Sequence, residues 1–440
     1  MTTLLLRGRV LSFRTRPESI DDRAAYVFEE DGGVLVRDGH VAAVGDFSAI
    51  AAQAADARVI DHRPHLILPG FIDAHVHMPQ MQVIASYGAE LLDWLNTYTF
   101  PEETKFRDSQ HGRRIARLFL DETVRHGTTT VAAFCSVHRE SADAFFAEAL
   151  ARNMRVVAGK VMMDRNAPDG LRDTPQSGYD DTKALIGEWH GRGRLHYAIT
   201  PRFAITSSPE QMEMAGALAR EFPDLHIQTH LSENHAEIAL TMELYPQARD
   251  YTDVYARYGL LGQRTLLGHA IHLSGREADA IHDAGSVAVF CPTSNLFLGS
   301  GLFDWQGYSR RQKPLRIAAA SDVGGGTSYS MLRTMDEGYK VIALQGEKIN
   351  PLASFWQITL GNAEALSLAD HVGRLVPGMD ADLVVLDARA TPAMRLRMET
   401  VETLAEELFL IQTLGDDRAV AETYVAGRPA KSARAVDSRG

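Results

Sequence analysis

The chain has 440 residues, of which 45% are hydrophobic and 23% are charged, and its formal net charge is −12. These fractions are typical of a soluble globular protein, and the length allows one large barrel domain with an appendage. The acidic balance, without a cluster of Lys or Arg, argues against nucleic acid or an anionic membrane surface as a partner.

The number of cysteines and the length of the apolar runs indicate the cellular compartment in which the protein works. Cys135 and Cys291, the two cysteines, lie in apolar runs without metal-binding or redox spacing, so we expect buried free thiols. Such scarcity fits a reducing compartment, where disulfides do not persist. The apolar stretch at the start is too short for a signal peptide, and no run approaches the roughly 18 apolar residues of a membrane span. The sequence therefore predicts a cytoplasmic enzyme.

The two ends of the chain carry β-like runs separated by Gly and Asp turns. The first runs are Leu4–Phe13, Val34–Arg37 and His40–Val44, and a short amphipathic helix follows over Phe47–Ala57. Similar runs return at residues 382–387 and 423–428. Because neither group can bury a face alone, we predict that they pair into one small β-sandwich domain made of residues 1–67 and 376–440.

Between these ends, short apolar strands alternate with helical segments, which is the pattern of repeated βα units. Eight such strands predict an α/β fold, specifically a (β/α)8 TIM-type barrel over residues 68–375. The predicted strands are Leu66–Ile72, Thr129–Phe134, Arg155–Met162, His196–Thr200, Leu225–Thr229, Thr265–Gly268, Ser286–Phe290 and Arg316–Ala320.

The segment from Pro69 to His77 places His75 and His77 at the end of an apolar run, just after the first predicted barrel strand. Side chains alternate along a strand, so the two imidazoles emerge on one face and can hold one divalent ion such as Zn²⁺. A pair of hydrogen-bonded core histidines is the structural alternative. Active sites of barrels gather at the carboxyl ends of the strands, which favours the metal site.

Four more polar residues follow later barrel strands. His230 follows strand five, and Glu233, three residues on, could accept a proton from a water at the metal without being a ligand. A solvated acid at a helix start is the alternative for Glu233. His269, after strand six, is expected to carry a proton or donate a hydrogen bond, and direct ligation stays open. Asp322, after strand eight, could ligate the metal, orient water and take a proton.

The sequence favours one metal ion over two. A second ion would need a bridging ligand, commonly a carboxylated lysine on strand four, and the residues there are Pro201, Arg202 and Phe203. Lys160 falls on strand three and is expected to be structural. The glycines after Asp322 fit neither a P-loop nor a dinucleotide fingerprint, so we expect them to let the backbone pass close to the site.

Across nearly the whole chain, these residues resemble the amidohydrolase superfamily, specifically its mononuclear zinc deaminase branch. Local sequences are similar to the guanine deaminase family at residues 75–80, 91–101, 161–168, 200–208, 291–303 and 321–327, and the superfamily resemblance includes residues 377–387. The resemblance implies one Zn²⁺ per subunit, with His75, His77, His230 and Asp322 as its ligands. It also implies catalytic roles for Glu233, His269 and Asp322.

The same resemblance implies that Gln80, Arg202 and Phe203 hold a purine, next to His77, His230, Glu233 and Asp322. An Arg guanidinium pairs well with O6 and N7 of guanine, and a Gln amide offers a donor and an acceptor to the edge around N1, N2 and N3. Phe203 could stack on the base. The alternatives are a surface salt bridge for Arg202 and core packing for Phe203.

The implied reaction is hydrolytic deamination of guanine to xanthine and ammonia in purine catabolism. Zinc hydroxide would attack C2, with Glu233 as the proton shuttle. A homodimer is expected from the resemblance alone. Trp94 and Tyr98 either cover the pocket or pack in the core or a dimer interface.

Two alternatives differ from this interpretation. The first is a hydrolase on the same scaffold that acts on 8-oxoguanine, cytosine, a triazine or a pterin, and a substrate panel would separate it. The second is a non-catalytic relative that acts through assembly. Such a relative would be expected to lack some of the ligands, whereas all of them are present here.

Overall fold

The structure is a computed structural model that describes residues 3–87 and 90–431. Strands occur at both ends of the chain and alternate with helices between them. The strands are β1 (Leu4–Phe13), β2 (Tyr26–Arg37), β3 (His40–Asp46), β4 (Arg58–Pro69), β5 (Phe71–His77), β6 (Thr128–Phe134), β7 (Arg155–Gly159), β8 (Val161–Met162), β9 (Leu195–Pro201), β10 (His226–Leu231), β11 (Thr265–His269), β12 (Val287–Phe290), β13 (Arg316–Ala319), β14 (Leu383–Leu386), β15 (Val420–Val425) and β16 (Arg428–Pro429).

Helices connect the strands, and many begin at a side-chain cap. Ser274, for example, accepts a hydrogen bond from the backbone of Glu277 at the start of its helix, which satisfies a free N–H of the first turn. The helices are α1 (Phe47–Gln53), α2 (Leu91–Trp94), α3 (Phe100–Glu103), α4 (Ser109–Arg125), α5 (Arg139–Ala151), α6 (Pro175–Trp189), α7 (Pro209–Glu221), α8 (His235–Leu244), α9 (Tyr251–Arg257), α10 (Gly275–Ala284), α11 (Pro292–Phe297), α12 (Trp305–Arg310), α13 (Met331–Leu344), α14 (Pro351–Trp356), α15 (Asn362–Ala365), α16 (Pro392–Met398) and α17 (Leu404–Leu414).

Parallel strands form the barrel sheet in the order β13-β12-β11-β10-β9-β7-β6-β5, with β8 paired to β9. Side chains alternate between two buried clusters, as the period of a strand requires. Ile72, Val157 and Leu266 belong to one cluster, and their neighbours Phe71, Val156 and Leu267 pack with residues of the helices. The (β/α)8 barrel prediction is confirmed.

The barrel closes between β5 and the residues that follow β13. His77 donates its backbone N–H to the Val323 carbonyl at 2.6 Å, and Asp322 donates its backbone N–H to the His75 carbonyl at 3.0 Å. The buried carboxylate of Asp73 accepts hydrogen bonds from the backbone N–H and the hydroxyl of Ser321. The closure therefore joins the first and last strands at the end where the polar residues lie.

Strands from both ends of the chain form a second sheet, of order β16-β15-β14-β4-β1-β2-β3. Its pairings are antiparallel except for the parallel pair β1 and β4. The predicted small β domain is thereby confirmed, with its strands in one hydrogen-bonded sheet. The predicted helix after β3 is α1. The exact division at residues 67 and 375 stays a prediction, and residues 432–440 lie outside the described residues.

The predicted strand Leu66–Ile72 differs from the structure. These residues are the end of β4, in the small sheet, and the start of β5, in the barrel. Gly70 separates the two strands, and a Cβ atom at this position would lie 2.2 Å from Thr129 Oγ1. The chain thus passes from one sheet to the other where only glycine fits, and an apolar run that continues through Gly70 does not reveal the change.

Two expectations about the whole chain can be compared with the structure. Cys135 and Cys291 are buried free thiols, as predicted. Within residues 3–87 and 90–431, every helix is too short or too polar to cross a membrane.

Candidate active site

The predicted site residues meet at the carboxyl end of the barrel. His75 and His77 lie on β5, His230 lies on β10 and His269 is the last residue of β11. The prediction placed these side chains just after their strands, whereas the structure places them on the last residues. Asp322 follows β13 by three residues and joins the group through the barrel closure. All five side chains are buried.

The histidines and Asp322 form a tight group of potential ligand atoms. Asp322 Oδ1 lies 3.4 Å from His75 Nε2 and 3.3 Å from His77 Nε2. His77 Nε2 lies 3.1 Å from His230 Nε2. His230 donates its Nδ1–H to the Arg202 carbonyl at 2.7 Å, which leaves Nε2 with its lone pair directed at the group.

Buried nitrogen atoms without partners make this group a candidate metal site. Among the described residues, no hydrogen-bond partner is found for Nδ1 or Nε2 of His75, or for Nδ1 of His77. Unpaired buried polar atoms are rare in folded proteins and require an explanation. Two overlapping sets of side chains could hold one ion there, namely His75, His77 and Asp322, and His75, His230 and His269. Imidazole nitrogens and a carboxylate are the donors that Zn²⁺ prefers.

Electrostatics keep the potential ligands in the forms that bind a cation. Burial lowers the pKa of His77 to about 4 and holds the pKa of His230 well below its ordinary value. Burial raises the pKa of Asp322, but His75 and His77 outweigh this effect and hold it well below the usual range. At neutral pH the two imidazoles are therefore neutral and Asp322 is a carboxylate.

Glu233 lies next to this group, and its own pKa is strongly raised. Burial and the nearby carboxylate of Asp322 raise the pKa of Glu233 to about 8. Ser300 donates its hydroxyl to Glu233 Oε1 at 3.0 Å, and Glu237 accepts the Glu233 backbone N–H at 2.8 Å. A positioned carboxyl group with a pKa near the working pH can both donate and accept a proton.

His269 links Glu233 to Asp322. Its Nε2 lies 3.3 Å from Glu233 Oε2 and 3.7 Å from Asp322 Oδ2. Its Nδ1–H donates to Asn295 Oδ1 at 2.9 Å, and this contact holds the ring with Nε2 toward the carboxyl groups. The preceding residue, Gly268, leaves room for the His75 ring, because a Cβ atom at position 268 would lie 2.7 Å from His75 Cε1.

Four residues of this region have a left-handed backbone. The φ angles are +49° at Ser232, +66° at His269, +50° at Ala270 and +52° at Asp322. For residues other than glycine this conformation costs about 1–3 kcal/mol each, and it clusters where function requires a particular geometry. The strain therefore lies at the ends of three different strands that meet at one site.

A cavity opens to solvent beside the histidines and Asp322. The predicted purine-binding residues Gln80, Arg202 and Phe203 line it. Trp94 also lines it, and Tyr98 packs in the same apolar cluster as Trp94 and Phe203. The full lining is His77, Gln80, Leu91, Trp94, Leu95, Arg202, Phe203, His230, Glu233, His269, Leu298, Asp322 and Gly325.

Other side chains that hold the site were missed by the sequence interpretation. Glu103 forms a buried ion pair with Arg202, so Arg202 makes no surface salt bridge. Asn295, Ser300 and Asp73 hold His269, Glu233 and Ser321, respectively. Asp73 was detectable, since it precedes His75 by two residues on the same strand. The others carry no metal-like spacing and become significant only through their partners.

Comparisons with known proteins agree with this geometry. Residues 66–430 match the amidohydrolase family. The chain is 46% identical to the guanine deaminase of Escherichia coli K12 over 94% of its length and 93% of that protein. A solved E. coli guanine deaminase structure superimposes with a TM-score of 0.94 at 45% identity, covering 97% and 99% of the two chains. The guanine deaminase from C. acetobutylicum, solved with guanine in its active site, has a TM-score of 0.87 at 29% identity, covering 97% and 100%.

Proposed function

Because the chain belongs to the amidohydrolase family, and within it to the guanine deaminases, we propose that it hydrolyses guanine to xanthine and ammonia. One observation carries the proposal most directly. The carboxyl group of Glu233, with its pKa raised to about 8, lines the same cavity as the histidine group and as Arg202 and Gln80. A proton donor, a nucleophile site and the purine-reading end, formed by Gln80, Arg202 and Phe203, therefore share one cavity.

The proposed metal is one Zn²⁺ per subunit, with His75, His77, His230 and Asp322 as ligands. The unpaired ring nitrogens and the ionised carboxylate support this set. When bound, Zn²⁺ supplies a hydroxide nucleophile at neutral pH, because it lowers the pKa of water from about 15.7 to about 7. The contacts of His269 with Asn295 and Glu233 favour a proton-handling role for this residue over ligation.

In the proposed mechanism, Glu233 accepts a proton from the attacking water and delivers it to N3 of guanine. The water oxygen bonds to C2, and His269 holds the tetrahedral centre by a hydrogen bond. Asp322 then transfers the hydroxyl proton to the exocyclic amine. The bond from C2 to that nitrogen breaks, ammonia leaves and the C2 carbonyl of xanthine forms.

The purine-reading end is proposed to select guanine over adenine. Arg202 uses Nη1 for its ion pair with Glu103, so Nε and Nη2 remain for the O6 and N7 acceptors of guanine. Adenine presents an amino donor at position 6 and would meet these donors with the wrong polarity. Phe203, which also lines the cavity, is placed to contact a base.

Arg202→Ala is expected to raise the KM for guanine by about 10- to 100-fold, since a good contact to a base edge contributes roughly 1–3 kcal/mol. Steady-state kinetics measure the effect, with Arg220→Ala, a change at an exposed position of α7, as the control. Thermal stability is followed alongside, because truncation leaves the buried Glu103 carboxylate without its ion-pair partner. An unchanged KM would mean that the base binds elsewhere.

Metal removal is the direct test of reaction and cofactor. Purified protein is expected to release equal amounts of xanthine and ammonia from guanine, to lose this activity on chelation and to regain it with Zn²⁺. Zinc content is measured on the same samples. If zinc-loaded protein leaves guanine unchanged, the proposed reaction is wrong, and 8-oxoguanine, cytosine, pterins and triazines become the next substrates.

Three broader proposals accompany this activity. We propose that the protein works in the cytoplasm as a homodimer, on the basis of its family resemblance and its scarce, buried cysteines. We also propose that residues 1–67 with 376–440 and residues 68–375 form its two domains. The passage between the two sheets at Gly70 supports that division.

A further inference from the structure

Glu103 is a buried carboxylate that none of the mechanistic steps uses. It is the last residue of α3 and only 1% exposed. Both of its oxygens accept hydrogen bonds from Arg202 Nη1, at 2.8 and 3.0 Å, and Oε1 also accepts one from Gln80 Nε2 at 2.9 Å. One carboxylate thus holds both polar side chains at the purine-reading end.

The contact with Gln80 decides which way its amide points. With Nε2 donating to Glu103, Gln80 Oε1 faces the backbone N–H of Gly324 at 3.3 Å. One Nε2 hydrogen and part of the Oε1 acceptor capacity remain for a substrate. Without Glu103, only the longer contact with the Gly324 N–H would oppose rotation of the amide, and rotation would exchange donor and acceptor toward the base.

The contact with Arg202 balances charge in a buried place. Arg202 is 3% exposed, and burying an ion pair in general stabilises a fold little, because both ions lose their hydration. The neighbouring Glu102 pairs instead with Lys105, whose side chain is 56% exposed. The buried pair of Arg202 and Glu103 presents the Arg202 N–H donors to the cavity without a net positive charge.

We propose that Glu103 is a positioning residue that sets specificity: it orients Arg202 and Gln80 and neutralises Arg202, so that the site accepts neutral purines and disfavours anionic ones. The inference rests on the proposed function. Guanine is neutral at working pH, whereas xanthine, the product, readily loses a proton in mildly alkaline solution. A site with a paired arginine therefore releases the anionic product more readily than one with a free guanidinium.

Glu103→Gln tests the proposal, with Glu102→Gln as the matched control on the same helix. The KM for guanine is expected to rise about tenfold with kcat changed less than about threefold, as expected when ground-state and transition-state binding weaken equally. At mildly alkaline pH, inhibition by xanthine relative to neutral hypoxanthine is expected to strengthen about tenfold, since an unpaired guanidinium attracts the anion. A purely structural role would weaken both inhibitors alike.

A double-mutant cycle identifies the route of the effect. In an Arg202→Ala background, Glu103→Gln is expected to change the xanthine-to-hypoxanthine ratio by less than about twofold, because coupled residues are not additive. An undiminished effect would show that Glu103 acts without Arg202 and would overturn the inference. Unchanged KM and unchanged inhibitor selectivity in Glu103→Gln would overturn it as well.

Glu103→Asp covers the case in which Glu103→Gln does not fold. It keeps the charge but withdraws it by one methylene, so the inhibitor selectivity is expected to stay while the KM for guanine rises. A wild-type KM in Glu103→Asp would contradict the positioning role. If the wild type and Glu102→Gln both fail to deaminate guanine, the proposed function fails; if they are active and Glu103→Gln matches them, only the inference about Glu103 fails.

Discussion

Glu233→Gln is expected to lower kcat for guanine by about 10²- to 10⁴-fold, the range contributed by a positioned general acid–base group. The amide keeps the shape of the side chain and can still contact Ser300 and His269, but it cannot move a proton from the attacking water to N3. Zinc content is expected to stay at the wild-type level, because the Glu233 side chain belongs to neither of the ligand sets.

Two measurements check this prediction, namely kcat and bound zinc per subunit. Glu243→Gln is the control, since Glu243 is exposed on α8 and the same chemical change there leaves the site intact. A Glu233→Gln protein with kcat within about threefold of the wild type would remove Glu233 from the mechanism. Loss of zinc together with activity would instead make Glu233 part of the metal site.

Asp322→Ala is expected to weaken zinc affinity at least 100-fold and to reduce turnover in parallel. Even residues that only orient a ligand typically change metal affinity by about 10- to 100-fold, and Asp322 Oδ1 lies within 3.4 Å of two ring nitrogens. Zinc titration of metal-free protein gives the affinity, and this readout does not depend on activity. Asp224→Ala, at an exposed position before β10, is the control.

The same titration distinguishes the two sets of candidate ligands. If Asp322→Ala binds zinc normally while His269→Ala does not, the ion is held by His75, His230 and His269, and the proposed ligand set is wrong. If Asp322→Ala loses zinc and His269→Ala keeps it, His269 serves proton handling, as its contacts with Asn295 and Glu233 indicate.

The sequence alone determined the framework and predicted most of the side chains that meet at the candidate site. Apolar runs and their spacing predicted the barrel strands, and seven of the eight agree with the structure to within a few residues at either end. His75 and His77 were recognisable because strand periodicity is local. Two residues that are two positions apart in a strand point to the same face of the sheet. The positions of His230, His269 and Asp322 followed from one general rule, that barrel sites lie at the carboxyl ends of strands.

Only the tertiary structure decided how distant side chains pair. Glu103 and Arg202 are 99 residues apart in the chain, and nothing in the run of residues around Glu103 distinguishes it from Glu102, which pairs with Lys105. Barrel closure brings Asp322 to His75, and the break at Gly70 divides one apolar run between two sheets. Periodicity and propensity report how each segment contacts its own neighbours, whereas pairing, closure and acidity depend on packing between segments, which no local pattern encodes.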